Sequence, residues 1–229
     1  MKRSGLLVCL LLFAGALGLL LSQPGSGRPP GQSSRSEQNG WIQVRIEGSP
    51  REMGYQHGWH LAREIEDALR LTRFAMTRDG KRDWDFFRNT ARGVFWPKIP
   101  IEYREELEGI LAGMKARGVQ ADLLDLVVHN AQIEFGYYTD WLERKARQLT
   151  GSPAPDRCSA FAATGSMTKN GKVVIGHNNW SGYLEGSRWN IIFDIRPGTG
   201  HRILMDGYPG FIHSGDDFGV NSAGLVITE

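Results

Sequence analysis

Of the two cysteines in this 229-residue chain, Cys9 lies in an apolar N-terminal run and Cys158 stands alone in the remainder. A chain that has lost that run can form no internal disulfide and no multi-cysteine zinc site. Cys158 follows a loop broken by Pro153 and Pro155 and opens Cys158-Ser159-Ala160-Phe161, a short apolar run. Two chemistries fit it. Free cysteines are most often small buried hydrophobes. Alternatively Cys158 is a nucleophile, its thiolate favoured by the adjacent Arg157 cation. Further on, Gly176-His177-Asn178-Asn179-Trp180 sets an imidazole and two amides in one turn, enough to orient a carbonyl or an amine, although a lone histidine is usually structural.

Those groups meet only if the intervening chain doubles back. Lys169-Asn170-Gly171-Lys172 is a hairpin signal, so the strand after it should return beside the strand opened by Cys158 and bring His177 to Asn179 near the thiol. Further strands are expected over 189–195, 202–205 and 225–228. Asp216 and Asp217 suggest calcium, an acid–base pair or the positioning of substrate or an amine, but consecutive strand residues face opposite ways and Gly-Asp-Asp is common in turns. His57 and His60, three apart on a helix, permit metal ligation but lack the His-Glu-x-x-His form, and a hydrogen bond within the prosegment is the favoured role of His57. Asn179-Trp180-Ser181 fits a glycosylation sequon, which matters only in a eukaryotic host.

Before Gly151 the texture is helical, after one strand over 41–46. Ser49-Pro50-Arg51-Glu52 is a capping box, and one helix is expected from it through Phe74, with Gly54 and Gly58 on a single face where another backbone can approach. A second is expected from Glu102 to Arg117, stopped by Gly118, and a third from Asp122 to Phe135. The aromatic group Trp84, Phe86, Phe87, Phe95 and Trp96 should pack against the strand region rather than meet lipid.

With 41% hydrophobic and 23% charged residues the chain is globular, and a net charge of +2 excludes a nucleic-acid polycation. Basic and acidic residues number 22 and 19 up to Arg157, then 5 and 6 from Cys158 onward, so neither part concentrates charge. Lys2 and Arg3, the uncharged run of residues 5–21 and the Pro/Gly/Ser-rich tract after it make an export signal, cleaved or retained as a membrane anchor. The expected organisation is a signal or anchor over 1–22, a linker over 23–40, a mostly helical prosegment over 41–157 and the start of a strand-rich domain over 158–229. The chain stops inside an expected strand, which suggests truncation.

Three stretches resemble the acyl-coenzyme A:isopenicillin-N acyltransferase-like peptidases and the phospholipase B-like proteins, of the N-terminal nucleophile hydrolase superfamily. They are Gly48 to Gly58; Cys158 to Phe161 with Gly176 to Trp180; and Tyr208-Pro209-Gly210 with Gly215 to Phe218 and Gly224 to Val226. The last two are most similar to the phospholipase B-like branch. The acyltransferase-like pattern often has Asp at the Trp180 position, and several superfamily relatives use Arg at that of His177.

The resemblance implies an α+β fold, an αββα sandwich of which only the first part is present. It implies self-cleavage at Arg157–Cys158, with Cys158, His177 and Asn178 catalytic and Asn179, Trp180, Asp216 and Asp217 positioning substrate or the oxyanion. The thiol would attack an acyl carbon while the freed α-amine, with a pKa of ~7.7–8.0, acts as base. No cofactor or metal is expected. The partners are a small-molecule or lipid acyl substrate and the cleaved prosegment, which should stay bound. The rival expectation is an exported, non-catalytic binding domain in which Cys158 is structural.

Overall fold

The computed structural model describes residue 29, residues 31–148 and residues 158–228. The expectations for residues 1–22 and for Arg157 lie outside the described residues. The fold is α+β. Part of the tract read as linker forms a strand, β1 (Ser34–Gln38), paired antiparallel with β2 (Trp41–Gly48) through a two-residue Asn39-Gly40 turn. Both turn residues have positive φ, 52° and 80°, as a hairpin twisted in the strand sense requires.

The capping box opens α1 (Pro50–His60): the Ser49 hydroxyl accepts from the Glu52 N–H, and the Ser49 N–H donates to the Glu52 carboxylate. The Ser49 N–H and the Ser49 hydroxyl, both directed at the Glu52 carboxylate, hold it below its ordinary pKa. The single helix expected through Phe74 is instead two, because the chain turns at buried Leu61 (φ −116°, ψ 22°) before α2 (Ala62–Thr77). The turn lets α1 pack on α4 (Ile101–Ala116) while α2 packs on α5 (Leu123–Asn130), two directions that one straight helix could not serve. The third expected helix likewise splits, at Ala131, into α5 and α6 (Gln132–Ala146).

Glycines set the distance between α1 and α4. A Cβ on Gly54 would lie 2.0 Å from the Glu106 carbonyl oxygen, and one on Gly58 would lie 2.0 Å from that of Ile110. Gly109 and Gly113 do the same from α4, their Cβ positions 2.3 and 2.1 Å from the carbonyls of Arg51 and Tyr55. Two glycine pairs, each at i and i+4, therefore interlock backbone against backbone.

A further helix, α3 (Trp84–Thr90), is capped by Asp83 and followed by a π turn over Ala91–Phe95. The aromatic residues belong to the core shared by the helices with β2 and the strand region, and their ring contacts are made among the helices. Phe87 and Phe95 meet the buried Phe135 ring of α6 edge-on at 5.2 and 4.8 Å, and the Trp84 indole donates to Asp125.

After the break, β3 (Ser159–Gly165) and β4 (Gly171–Asn178) form the expected hairpin as a separate two-stranded sheet. A short helix, α7 (Tyr183–Gly186), leads to β5 (Asn190–Pro197), β6 (Ile203–Gly207), β7 (Phe218–Asn221) and β8 (Val226–Thr228). These join one six-stranded sheet ordered β1-β2-β5-β6-β7-β8, in which β2 and β5 are parallel and Val44 faces Phe193. Val44, Ile46, Ile191 and Phe193, alternate residues of these two strands, are buried in the core shared with the helices. At ~1.5–3 kcal/mol per buried side chain, this row contributes on the order of 10 kcal/mol before the entropy of ordering is subtracted.

Polar ties also join the two parts. Asp194 on β5 binds Arg45 of β2, Arg196 and Arg202; burial raises its pKa, and the three guanidiniums outweigh burial and hold it low. The loop between β6 and β7 is gripped from the helices. His57 Nε2 accepts from the Gly210 N–H at 3.0 Å, His129 Nε2–H donates to the Pro209 carbonyl at 2.8 Å, and Asn130 bonds the Gly210 carbonyl and the Ile212 N–H. Gly210 has φ +85° and its Cβ position lies 3.1 Å from Ile65, so a side chain there would be both strained and crowded.

Two tests follow from these contacts. Gly58→Ala should destabilise at the upper end of the ~1–3 kcal/mol typical of overpacking or beyond it, whereas Gly136→Ala, in α6 with no atom within 4 Å, should be neutral or stabilising. Urea unfolding of both variants checks the difference.

His57 and His129 are fully buried, and burial foremost lowers their pKa values from 6.5 to about 3 and about 4. Their contribution is complete above pH 6.5 and is lost as pH falls from there toward 4, because the unfolded chain binds the protons first. His60, also lowered to about 4, acts in the same sense but is partly exposed and screened. Glu106, raised by desolvation to about 7, acts in the opposite sense, losing stability as pH rises from about 4.5 to 7. Two fully buried histidines outweigh one carboxyl, so stability should fall on acidification from pH 6.5 to 5 by about 1.4 kcal/mol per pH unit. A His57→Gln variant should lose markedly less over that range in chemical denaturation; an unchanged slope would refute the assignment.

Candidate active site at the start of β3

The β3–β4 register fixes which groups can meet. Ser159 faces Asn178 and Ala160 faces His177 across the ladder. Directly opposed residues share a face, and alternation carried two residues back from Ala160 puts Cys158 on the His177 face. Asn178 belongs to the other face with Ser159 and is exposed, so the hairpin separates it from the thiol. Cys158 is partly buried, and its Sγ accepts a hydrogen bond from the Trp180 backbone N–H at 3.3 Å. The Trp180 contribution is therefore its amide; its indole ring is 80% exposed. Asn179, between them, is half-buried.

His177 is held from the other sheet. Its Nδ1 hydrogen-bonds the Thr228 hydroxyl of β8, and its Nε2 is buried with no hydrogen-bond partner among the described residues. An imidazole oriented through one nitrogen with the other unoccupied can exchange a proton with a reacting group.

The loop from Tyr208 to Asp217 approaches the same region. Asp206, on β6, organises its return by accepting from the Ser214 hydroxyl and from the N–H groups of Asp216 and Phe218. Asp217 takes a left-handed conformation, φ 56°, and serves the turn. Asp216, exposed in the loop, is within electrostatic reach of His177: partial desolvation raises its pKa, the nearby Asp206 and Asp217 raise it further, and His177 opposes them. The Tyr208 hydroxyl, also buried without a partner among the described residues, has its pKa raised mainly by desolvation.

The structure thus brings Cys158, the Trp180 amide and His177 to the end of one hairpin, with Asp216 within electrostatic reach of His177. Asp206, Ser214 and Thr228 escape a reading of the sequence because they act through partners on other strands. Asp206 alone carried a local signal, an acidic residue placed inside an apolar strand. His57 and His60 do not converge on a metal: His60 bonds the Ser33 hydroxyl, and His57 accepts from the Gly210 amide of the strand-rich part rather than bonding within the prosegment as expected, because that buried N–H has to be satisfied. Among the described residues no cluster of three or more His, Cys, Asp or Glu could hold one. No helix among them is long and apolar enough to cross a membrane.

Residues 73–229 match the family model described as Phospholipase B. The chain is also similar to a protein of Archaeoglobus fulgidus described as an uncharacterized protein, 25% identical over 218 residues, which covers 82% of this chain and 32% of the relative. The chain spans about a third of the length of that curated relative. Because the family model runs from α2 through every strand of the candidate site, the chain belongs to the phospholipase B family.

Proposed function

We propose that this chain carries the nucleophile of an exported, self-processing acyl hydrolase whose remaining site residues come from the rest of a longer protein. One observation carries the reading: the Cys158 thiol sits at a strand start, bonded to a backbone N–H and on the His177 face. Scission at Arg157–Cys158 frees the Cys158 α-amine. The thiol proton passes to that amine, the sulfur attacks the acyl carbon, and the ester or amide bond to the leaving group breaks as the leaving oxygen or nitrogen takes the proton. Water then cleaves the thioester, returning a proton to the leaving thiolate. An amine acceptor in place of water would give acyl transfer.

The Trp180 N–H is suited to stabilise the thiolate or the oxyanion that develops beside it. His177, tied by Thr228, serves as proton donor or orients the amine, and Asp216 sets its field. Asn178 faces away and has a smaller part. The family favours ester bonds of a lipid as substrate. The buried contacts between residues 41–60 and residues 190–212 support retention of the prosegment after scission. Partial exposure of Cys158 disfavours the purely structural reading, in which the thiol would be shielded.

The test is intact mass and N-terminal sequencing of the full-length precursor. Wild type should yield a fragment beginning at Cys158 that co-elutes with the prosegment, and Cys158→Ala should stay whole. His177→Ala should lower the hydrolysis rate by about 10²–10³, and Asn178→Ala by much less. A folded wild type that stays whole would sink the proposal.

A further inference from the structure

Away from the candidate active site, an open cleft of about 600 Å³ lies between β1 and the C-terminal ends of α1 and α4, lined by Arg35, Ser36, Glu37, Trp59, His60 and Arg117. Its charges are unevenly matched. Arg35 is paired with Glu37 and Glu64, and donates to the His60 carbonyl. Arg63, at the cleft's margin, is paired with Glu66. Arg117, just past the end of α4, has no carboxylate partner among the described residues. Its guanidinium lies over the Trp59 ring, 4.6 Å from the centroid, a stacking that fixes its plane while leaving its N–H donors to be used at the edge. Trp59 Nε1 is buried and lacks an acceptor among the described residues. A buried donor without a partner is unfavourable, and an acceptor supplied by a ligand would remove that cost.

We propose that this cleft binds a phosphate group, carried by a small soluble molecule or by a lipid headgroup. The Arg117 guanidinium supplies the charge and a planar fork that matches phosphate oxygens, and the Trp59 indole supplies a further donor, whereas Arg35 is held by two carboxylates and adds no net positive charge. Glu37, on the exposed rim, and Glu64 share Arg35, so the Arg117 end, whose guanidinium has no carboxylate partner among the described residues, is the anionic subsite. The lowered pKa of His60, caused first by burial and then by Arg35 and Arg117, is consistent with a field that favours anions. None of these residues takes part in the proposed hydrolysis.

The test measures binding of inorganic phosphate to the full-length protein by equilibrium dialysis at low ionic strength. Arg117→Gln should weaken binding about tenfold, and Trp59→Phe, which keeps the ring and removes the N–H, by a smaller factor. Arg51→Gln, in the exposed pair with Glu108, should change nothing. Unaltered melting temperatures exclude misfolding, and Trp59→Phe keeps the test decisive if Arg117→Gln fails to fold. Tight binding of glycerol 3-phosphate supports a soluble ligand. Sedimentation with phosphatidylglycerol vesicles that is lost in Arg117→Gln supports a headgroup. No phosphate binding, equal affinity in Arg117→Gln, or acetate binding as tightly as phosphate overturns the proposal.

Discussion

The buried peptide groups at Pro209 and Gly210, with the half-buried one at Ile212, are the constraint around which the rest of this fold is arranged. Backbone donors and acceptors taken out of water must find partners, and here the partners come from α1 and α5 rather than from a neighbouring strand. His57 must accept and His129 must donate through Nε2, while Thr72 and Gln132 engage His129 Nδ1. Each requirement selects a neutral imidazole of defined tautomer. The loop that presents Asp216 is therefore positioned by helices that precede Cys158 in the chain.

The glycine interlock of α1 and α4 supports the same arrangement. With four carbonyls and four missing side chains in register, α1 cannot rotate or slide without a backbone clash, so His57 is delivered to one place. The Leu61 turn then aims α2 at α5, which carries His129 and Asn130. Packing fixes the helices, the helices fix the loop, and the loop fixes the electrostatic surroundings of His177. A change far from the thiol can alter the site by this route.

Much of this was legible in the sequence where the signal is local. The Ser49 capping box, the Asn170-Gly171 hairpin and the paired glycines of α1 each state a short-range requirement that the structure meets. The hairpin alone was enough to bring His177 beside Cys158. What the sequence hid was long-range. The breaks at Leu61 and Ala131 interrupt periodic apolar patterns that run straight through them, since tertiary direction and not propensity decides there. Strand β1 was hidden by polar residues, being an edge strand with little to bury. The partners of the site, Thr228 and Asp206, come from other strands, and no spacing rule joins them to His177 or to Asp216.

The parallel pairing of β2 with β5 constrains when the proposed scission could occur. Arg45 and Asp194 meet across 149 residues of chain, so joining these strands means closing a long loop, a slow and entropically unfavourable step. While the chain is continuous the two strands are tethered and their encounter is intramolecular. Once it is cut between them, the same encounter becomes a second-order search between dilute fragments. If the proposed self-scission takes place, cutting before assembly of the sheet would forfeit this effective concentration, so on this topology folding would have to come first.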